Sequence, residues 1–341
     1  MNGQGNPHLS WLTAPPMPAP VLPPSASRVV VTGGAGFIGS HLVERLLADG
    51  CAVDVLDDCS TGSLDNLSAV RGHPRLRVQV TKVSDADLGA LLPGARSVFH
   101  LAAAVGVELV VRSPIETIET NLHETEVVLR AAAQHGTPVL LTSTSEVYGK
   151  SAKAEFEEED DLLIGPPTHA RWAYACSKLM DEFLALAHAR GRSLPVVIAR
   201  LFNTVGPRQT GRYGMVLPRF ITAARAGQPL RVFGDGRQTR CFCHVSDTVE
   251  ALLRLEACPA ARGGVFNVGT TEEVRIRELA ERVIHLLGSS STVELVPYSE
   301  AYAPGFEDMH RRRPCVAKLA RLTGFQPATP LDETIRRTAG L

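Results

Sequence analysis

The chain has 341 residues, 44% of them hydrophobic, enough to bury one large core or two modest ones. Its 35 Lys+Arg and 36 Asp+Glu leave a net charge of -1, so no long-range field draws it to nucleic acid or to an anionic membrane surface. No apolar run is long enough to cross a bilayer, and the chain reads as a soluble globular protein with no membrane partner.

The first 26 residues carry Pro7, Pro15, Pro16, Pro18, Pro20, Pro23 and Pro24, a density that prevents helix and sheet pairing alike. Segment 1–26 therefore reads as a disordered tail, without the basic and apolar regions of a signal peptide. From residue 28 short apolar runs alternate with helical patterns. Residues 28–32, 52–56, 76–80, 97–101, 138–142 and 195–200 read as strands, and 37–48, 115–135 and 172–189 as helices. That alternation is the sequence form of an α/β protein with a doubly wound parallel sheet, expected as a Rossmann-like domain over 27–203. After Asn203 the rhythm loosens, punctuated by Gly206-Pro207, Pro218, Pro229 and Gly234-Asp235-Gly236. A smaller C-terminal α/β substrate domain is expected over 204–230 and 269–341, with 231–268 returning to the first domain through a stretch at 231–249.

The cysteines, Cys51, Cys59, Cys176, Cys241, Cys243, Cys258 and Cys315, are odd in number and include no CxxC pair. They read as reduced thiols in a cytoplasmic protein. Cys241 and Cys243 alternate in a strand-like run, but no second ligand pair completes a metal site.

Two constellations carry chemistry. Gly33, Gly36 and Gly39 follow the strand-like run Val29-Val30-Val31-Thr32 and open a helix, so that the backbone can approach a pyrophosphate resting on the helix N-terminus. Asp57 closes the next strand, where a carboxylate binds the adenine ribose hydroxyls; with Asp58 it repels a 2′-phosphate, favouring NAD over NADP. A tight turn without a ligand does not explain three glycines and an acid at this spacing. Further on, Tyr174 and Lys178 stand four apart and share a helix face, where the ammonium is expected to lower the pKa of the phenol and make it a base. Together these indicate redox chemistry on an alcohol. Thr144, Ser145 and Glu146 should emerge at the carboxyl edge of the sheet. His100 reads as a packed strand-end residue, and Asp247 as structural.

The segments TGGAGFIGSHL (32–42), TSTSEVYG (142–149), YACSK (174–178), FNTVGPR (202–208) and GDGRQTR (234–240) resemble the extended short-chain dehydrogenase/reductase superfamily, in its NAD-dependent nucleotide-sugar epimerase and dehydratase group. Within it the chain is most similar to UDP-glucuronate decarboxylases, the UDP-xylose synthase-like enzymes. Two stretches carry that likeness: 164–174, with Arg171 three before Tyr174, and 305–314, with Arg311, Arg312 and Arg313.

The resemblance implies NAD held by Gly33, Gly36, Phe37, Ile38, Gly39, Asp57, Asp58, Val83, Leu101, Tyr174 and Lys178. It implies that Tyr174 takes the proton of the sugar C4 hydroxyl while Thr144 or Ser145 holds the oxygen, that Glu146 acts near the C6 carboxylate by anion repulsion, and that Arg312 is the acid that protonates C5. Arg311 and Arg313 are register alternatives, and the cluster could instead bind phosphate. Arg171, Asn203, Arg240 and Val216 fall where the UDP-sugar binds. The resemblance also implies a homodimer through helices 115–135 and 172–189. Two positions depart from the pattern: Val110 stands where a tyrosine is usual, and Lys82-Val83 replaces an acid-hydrophobic pair at the adenine. A 4-epimerase or 4,6-dehydratase shares the first oxidation, and a cofactor-binding sensor would lack the Tyr174–Lys178 pair.

Overall fold

A computed structural model describes residues 27–104, 113–211, 215–301 and 309–341. The tail 1–26 and Val110 lie outside the described residues. Strands β1 (Arg28–Thr32), β2 (Ala52–Asp57), β3 (Leu76–Val80), β4 (Ser97–His100), β5 (Val139–Thr144) and β6 (Val196–Leu201) join strand Gly264–Val268 in one seven-stranded sheet. From one edge the order is Gly264–Val268, β6, β5, β4, β1, β2, β3, and every pairing is parallel. The chain runs outward from β1 to β3 and then crosses back to β4, so the strand order reverses between β1 and β4. A crevice opens at the carboxyl ends there.

The sheet is covered on both faces except at its edge strand β3, where residues 77–80 are exposed, and its inner strands accordingly read as largely apolar runs rather than alternating ones. In β1, Val29 and Val31 pack with Leu42, Leu46 and Phe99 in one core, while Val30 faces the other way onto Leu56, Val98, Leu129 and Ile198. Helix α1 (Phe37–Ala48) and helix Val245–Glu256 contribute to the first layer, helices Pro114–His135 and Trp172–Arg192 to the second. Pro114 starts its helix at the position where its missing N–H has no partner to lose, and Gly136 ends it at φ +65.

Two expected boundaries shift for reasons of pairing. Strand β5 runs two residues beyond 142, because Ser143 and Thr144 pair with Arg200 and Leu201. Segment 231–249 does not rejoin the sheet: Leu230–Phe233 pairs with Val293–Val296 in a separate two-stranded sheet, and Thr239–Cys241 pairs antiparallel with Glu273–Arg275. Leu230 and Val232 are buried while Arg231 is exposed, a one-faced pattern that cannot lie inside a sheet covered on both sides. The end of that segment, Val245 and Val249 on helix Val245–Glu256, packs on the sheet without joining it, and Gly264–Val268 then enters it beside β6. Leu217, Phe220, Val232, Leu279, Val283 and Ile335 form the core of the smaller lobe.

Beneath the crevice a buried ion pair ties three elements together. Arg200 on β6 donates from Nε and Nη2 to Glu182 of helix Trp172–Arg192, and from Nη1 to the Tyr148 hydroxyl at 3.1 Å. Ser143 on β5 donates to the same carboxylate at 2.5 Å. Arg200→Ala leaves that carboxylate uncompensated out of water, and urea titration is expected to show a loss of about 3–5 kcal/mol. A loss below about 1 kcal/mol, the size of an exposed pair, is the contrary result.

Candidate active site

The crevice is a cleft of about 700 Å³ running from the glycine turn to the smaller lobe. At the nucleotide end Gly33 has φ +71, and a Cβ on it would meet the backbone of Leu101 and Ala102 within 3 Å. A Cβ on Gly39 would meet the Gly33 carbonyl oxygen at 2.0 Å, so the turn closes only with glycine there. Gly36 differs: its Cβ would meet the Gly33 carbonyl oxygen at 3.1 Å and nothing else within 4 Å. That position is a cradle at the start of α1, in the place a pyrophosphate occupies on a helix N-terminus. Asp57 braces the turn by accepting from the Ala35 N–H at 2.8 Å and the Cys59 N–H at 2.8 Å. Burial pushes its carboxyl up against the N–H groups of Cys59, Ala35 and Gly36, and the lone pair those three donors leave is available to a ribose hydroxyl. Asp58 lines the cleft beside it, with its carboxylate on the Ser60 N–H. Phe37, Ile38, Lys82, Val83 and Leu101 line the same end, Val83 buried. These residues fit a dinucleotide.

At the other end the carboxyl edge of β5 turns sharply. Thr144 caps the turn by accepting from the Glu146 N–H at 3.2 Å, which aims the Glu146 side chain into the cleft. Arg312 reaches across from the C-terminal segment, donating to Glu146 Oε1 at 2.5 Å and to Ser145 Oγ at 2.8 Å. Arg171 stands 3.3 Å from the other Glu146 oxygen and lies against the Trp172 ring. Burial alone would raise the Glu146 carboxyl, but Arg312, Arg171 and Arg240 outweigh it and hold the group below the usual range. Glu146 is therefore a largely enclosed anion, its side chain 13% exposed, among three cations. The expected repulsion of a substrate carboxylate is muted by that compensation, and the local excess of charge is positive.

Of the register alternatives, Arg312 lines the cleft, whereas Arg311 pairs with Glu273 and Arg313 lies 3.7 Å from Glu155. Asn203, Arg240 and Val216 line the far end, Asn203 donating to the Cys241 carbonyl at 3.1 Å. Asp247 accepts from the backbone of Ala328 and Thr329, a clasp on the C-terminal segment away from the chemistry.

Tyr174 departs from expectation. Its phenol is pushed above its ordinary value, first by burial and then by the Glu146 charge, and neither the Thr144 hydrogen bond nor Arg312 reverses this. The Lys178 ammonium donates to Asp181 at 2.8 Å, both groups almost fully buried, and the Asp181 charge adds to the upward push on the phenol. Sequence reasoning passed over Asp181, although its place one helical turn after Lys178 puts it within reach of the ammonium. It also passed over Arg219, which stacks on Phe233 at the far end of the cleft. Helical spacing from Val216 was the available signal.

A glycine turn on a doubly wound sheet, with a tyrosine and lysine at the carboxyl edge, defines an NAD-using enzyme of the short-chain dehydrogenase type. The profile of the NAD dependent epimerase/dehydratase family matches residues 29–269. The chain is 39% identical over 312 residues to a UDP-N-acetyl-alpha-D-glucosaminuronate decarboxylase of Bacillus cytotoxicus, covering 91% of this chain and 96% of that one. It is 35% identical to a UDP-glucuronic acid decarboxylase of Arabidopsis thaliana, covering 94% and 91%. Among solved structures it resembles a UDP-glucuronic acid 4-epimerase variant of Bacillus cereus bound to a fluorinated UDP-glucuronic acid and NAD, with 27% identity, a TM-score of 0.82 and coverage of 92% and 98%. The chain belongs to the NAD dependent epimerase/dehydratase family, and its cofactor is NAD.

Two outcomes are expected here. Gly36→Val fills the cradle, and calorimetric titration should show NAD affinity falling at least tenfold while the melting temperature stays near that of the parent; unchanged affinity would place the pyrophosphate elsewhere. His100 at the end of β4 is held neutral, pushed down to about 3 by burial and then by the Lys178 charge. Below the unfolded value of 6.5 the unfolded chain takes up a proton that the folded chain refuses, so stability drops by about 1.4 kcal/mol per pH unit. His100→Gln should lose this slope, making the stability difference between pH 7 and pH 5 smaller by about 2 kcal/mol. Equal slopes in denaturant titrations of the two proteins would contradict it.

Proposed function

We propose that this protein is an NAD-dependent UDP-glucuronate decarboxylase. The observation that carries the reading is Glu146, ion-paired between Arg312 and Arg171 in the cleft with Tyr174, since the surplus positive charge suits a sugar bearing a carboxylate. The 35–39% identity to decarboxylases over most of the chain supports it.

Bound NAD supplies the acceptor and donor for the C4 hydride. Tyr174 takes the proton from the C4 hydroxyl while the Thr144 hydroxyl holds the oxygen. The C4 ketone lies β to the C6 carboxylate, so the electrons of the C5–C6 bond pass into an enolate as carbon dioxide leaves. Tyr174 and Thr144 stabilise the enolate oxygen by donating to it. Arg312 returns a proton to C5; a guanidinium is a weak acid, but an enolate carbon is a far stronger base than its conjugate guanidine. Re-reduction at C4 then gives UDP-xylose, unless the 4-keto pentose leaves first. Arg171 orients the carboxylate, and Asn203, Arg240 and Val216 hold the uridine diphosphate, with 204–230 and 269–341 forming the sugar-nucleotide half. The protein acts in the cytoplasm as a homodimer. Ile115, Ile118, Met180 and Phe183 present exposed apolar surface on the two long helices, Ile115 at 71% and Phe183 at 62%.

The test is to incubate the protein with NAD and UDP-glucuronate, and in parallel UDP-N-acetylglucosaminuronate, and to follow carbon dioxide. Release is expected; no gas, with the 4-epimer appearing instead, would make the protein an epimerase. Arg312→Ala should keep NAD affinity while completed turnover falls at least 100-fold, the size of a lost general acid. Activity within a factor of two would remove Arg312 from that role. Sedimentation equilibrium is expected to give the dimer mass for the parent and the monomer mass for Phe183→Glu.

A further inference from the structure

We propose that Asp181 is a positioning residue of the reaction: its carboxylate is the counter-ion that fixes where the Lys178 ammonium stands, and thereby sets how readily Tyr174 releases its proton. The inference rests on the reading that Tyr174 is the base. Asp181 is fully buried, and its Oδ2 accepts from Lys178 Nζ at 2.8 Å. Its Oδ1 is buried and accepts no hydrogen bond of ordinary geometry, with the Thr125 hydroxyl the polar group turned towards it. A buried carboxylate answered by one ammonium and one loosely placed hydroxyl is costly, and an apolar residue in its place would avoid the cost unless the charge has a task.

Behind Thr125 lies a polar chain with a direction. The Thr32 hydroxyl accepts from the Ala102 N–H at 3.2 Å and stands 2.8 Å from His100 Nδ1, and the other ring nitrogen, Nε2, stands 3.1 Å from Thr125 Oγ1. We assign the neutral ring the tautomer protonated on Nε2, in which Thr32 donates to Nδ1 and the ring donates to Thr125. That leaves the Thr125 proton free to turn to Asp181. The chain thus runs from the end of β1, beside the nucleotide turn, to the acid that holds the lysine.

The charged and titratable groups around the pair are Tyr174 and Glu182 on the same helix, His100 from β4, and Glu146 with Arg312 across the cleft. Against a carboxylate at 2.8 Å, Lys178 presents Tyr174 with a compact dipole rather than a whole positive charge. With the negative end removed, the phenolate is the anion left to compensate the buried ammonium, which favours release of the Tyr174 proton.

The experiment is a phenolate absorbance titration of the NAD-loaded protein, with the Tyr174→Phe trace subtracted so that one tyrosine is read. In Asp181→Asn the Tyr174 midpoint is expected to fall by on the order of one pH unit. In turnover the acid limb of kcat should move by the same amount with KM changed less than twofold, and Asp181→Glu should return the midpoint towards that of the parent. Asp181→Ala carries the same expectation with less bulk. An unmoved midpoint in whichever uncharged variant folds overturns the proposal. Because the titration needs no turnover, it is separable from failure of the decarboxylase reading, which the carbon dioxide assay detects.

Discussion

The carboxyl edge of the sheet holds ionised groups out of water, and each must be compensated where it stands. Transfer of an isolated charge into a protein interior costs several kcal/mol even after relaxation, so an unpaired Glu182, Glu146 or Asp181 would not persist as an anion. Glu182 is met by Arg200, Glu146 by Arg312 and Arg171, Asp181 by Lys178. Those pairings decide which elements touch: β6 against helix Trp172–Arg192, the C-terminal segment against the turn after β5, and one helical turn against the next.

The same compensation explains why the site is selective in its charge without being aggressive. A lone Glu146 would repel an anionic sugar, whereas Glu146 between two guanidiniums orients them and leaves an excess of positive charge. The carboxylate works as a scaffold for arginines. Its hydrogen bonds hold the forks in place, so less side-chain entropy remains to be lost when a ligand arrives.

How much of this was legible in the sequence follows from the range of each interaction. The glycine turn, Asp57, and the Tyr174–Lys178 spacing are local, and residues close along the chain declare their shared geometry through the helix and strand periods. Thr144 to Glu146 were legible as a strand end, although the strand ran two residues further because β6 was there to pair with it. Arg312 lies 166 residues from Glu146, and nothing in spacing alone selects it from Arg311 and Arg313. The expected return of 231–249 failed because a short run with Leu230 and Val232 inward and Arg231 outward suits a one-faced sheet as well as a central one. The expected lowering of the Tyr174 phenol is opposed by burial, by Glu146 and by Asp181, a third charge on the helix that the spacing from Tyr174 to Lys178 does not reveal.

Arg312 and the Phe156–Pro314 bridge beside it bring the last part of the polypeptide onto a turn laid down much earlier. The dinucleotide pocket is written almost wholly in the first third of the chain, while the guanidinium that answers Glu146 comes near its close. The cofactor grip and the reactive centre are thus far apart in order of synthesis, and they meet only once the sheet has taken in Gly264–Val268 and the late arginine has crossed to the early turn.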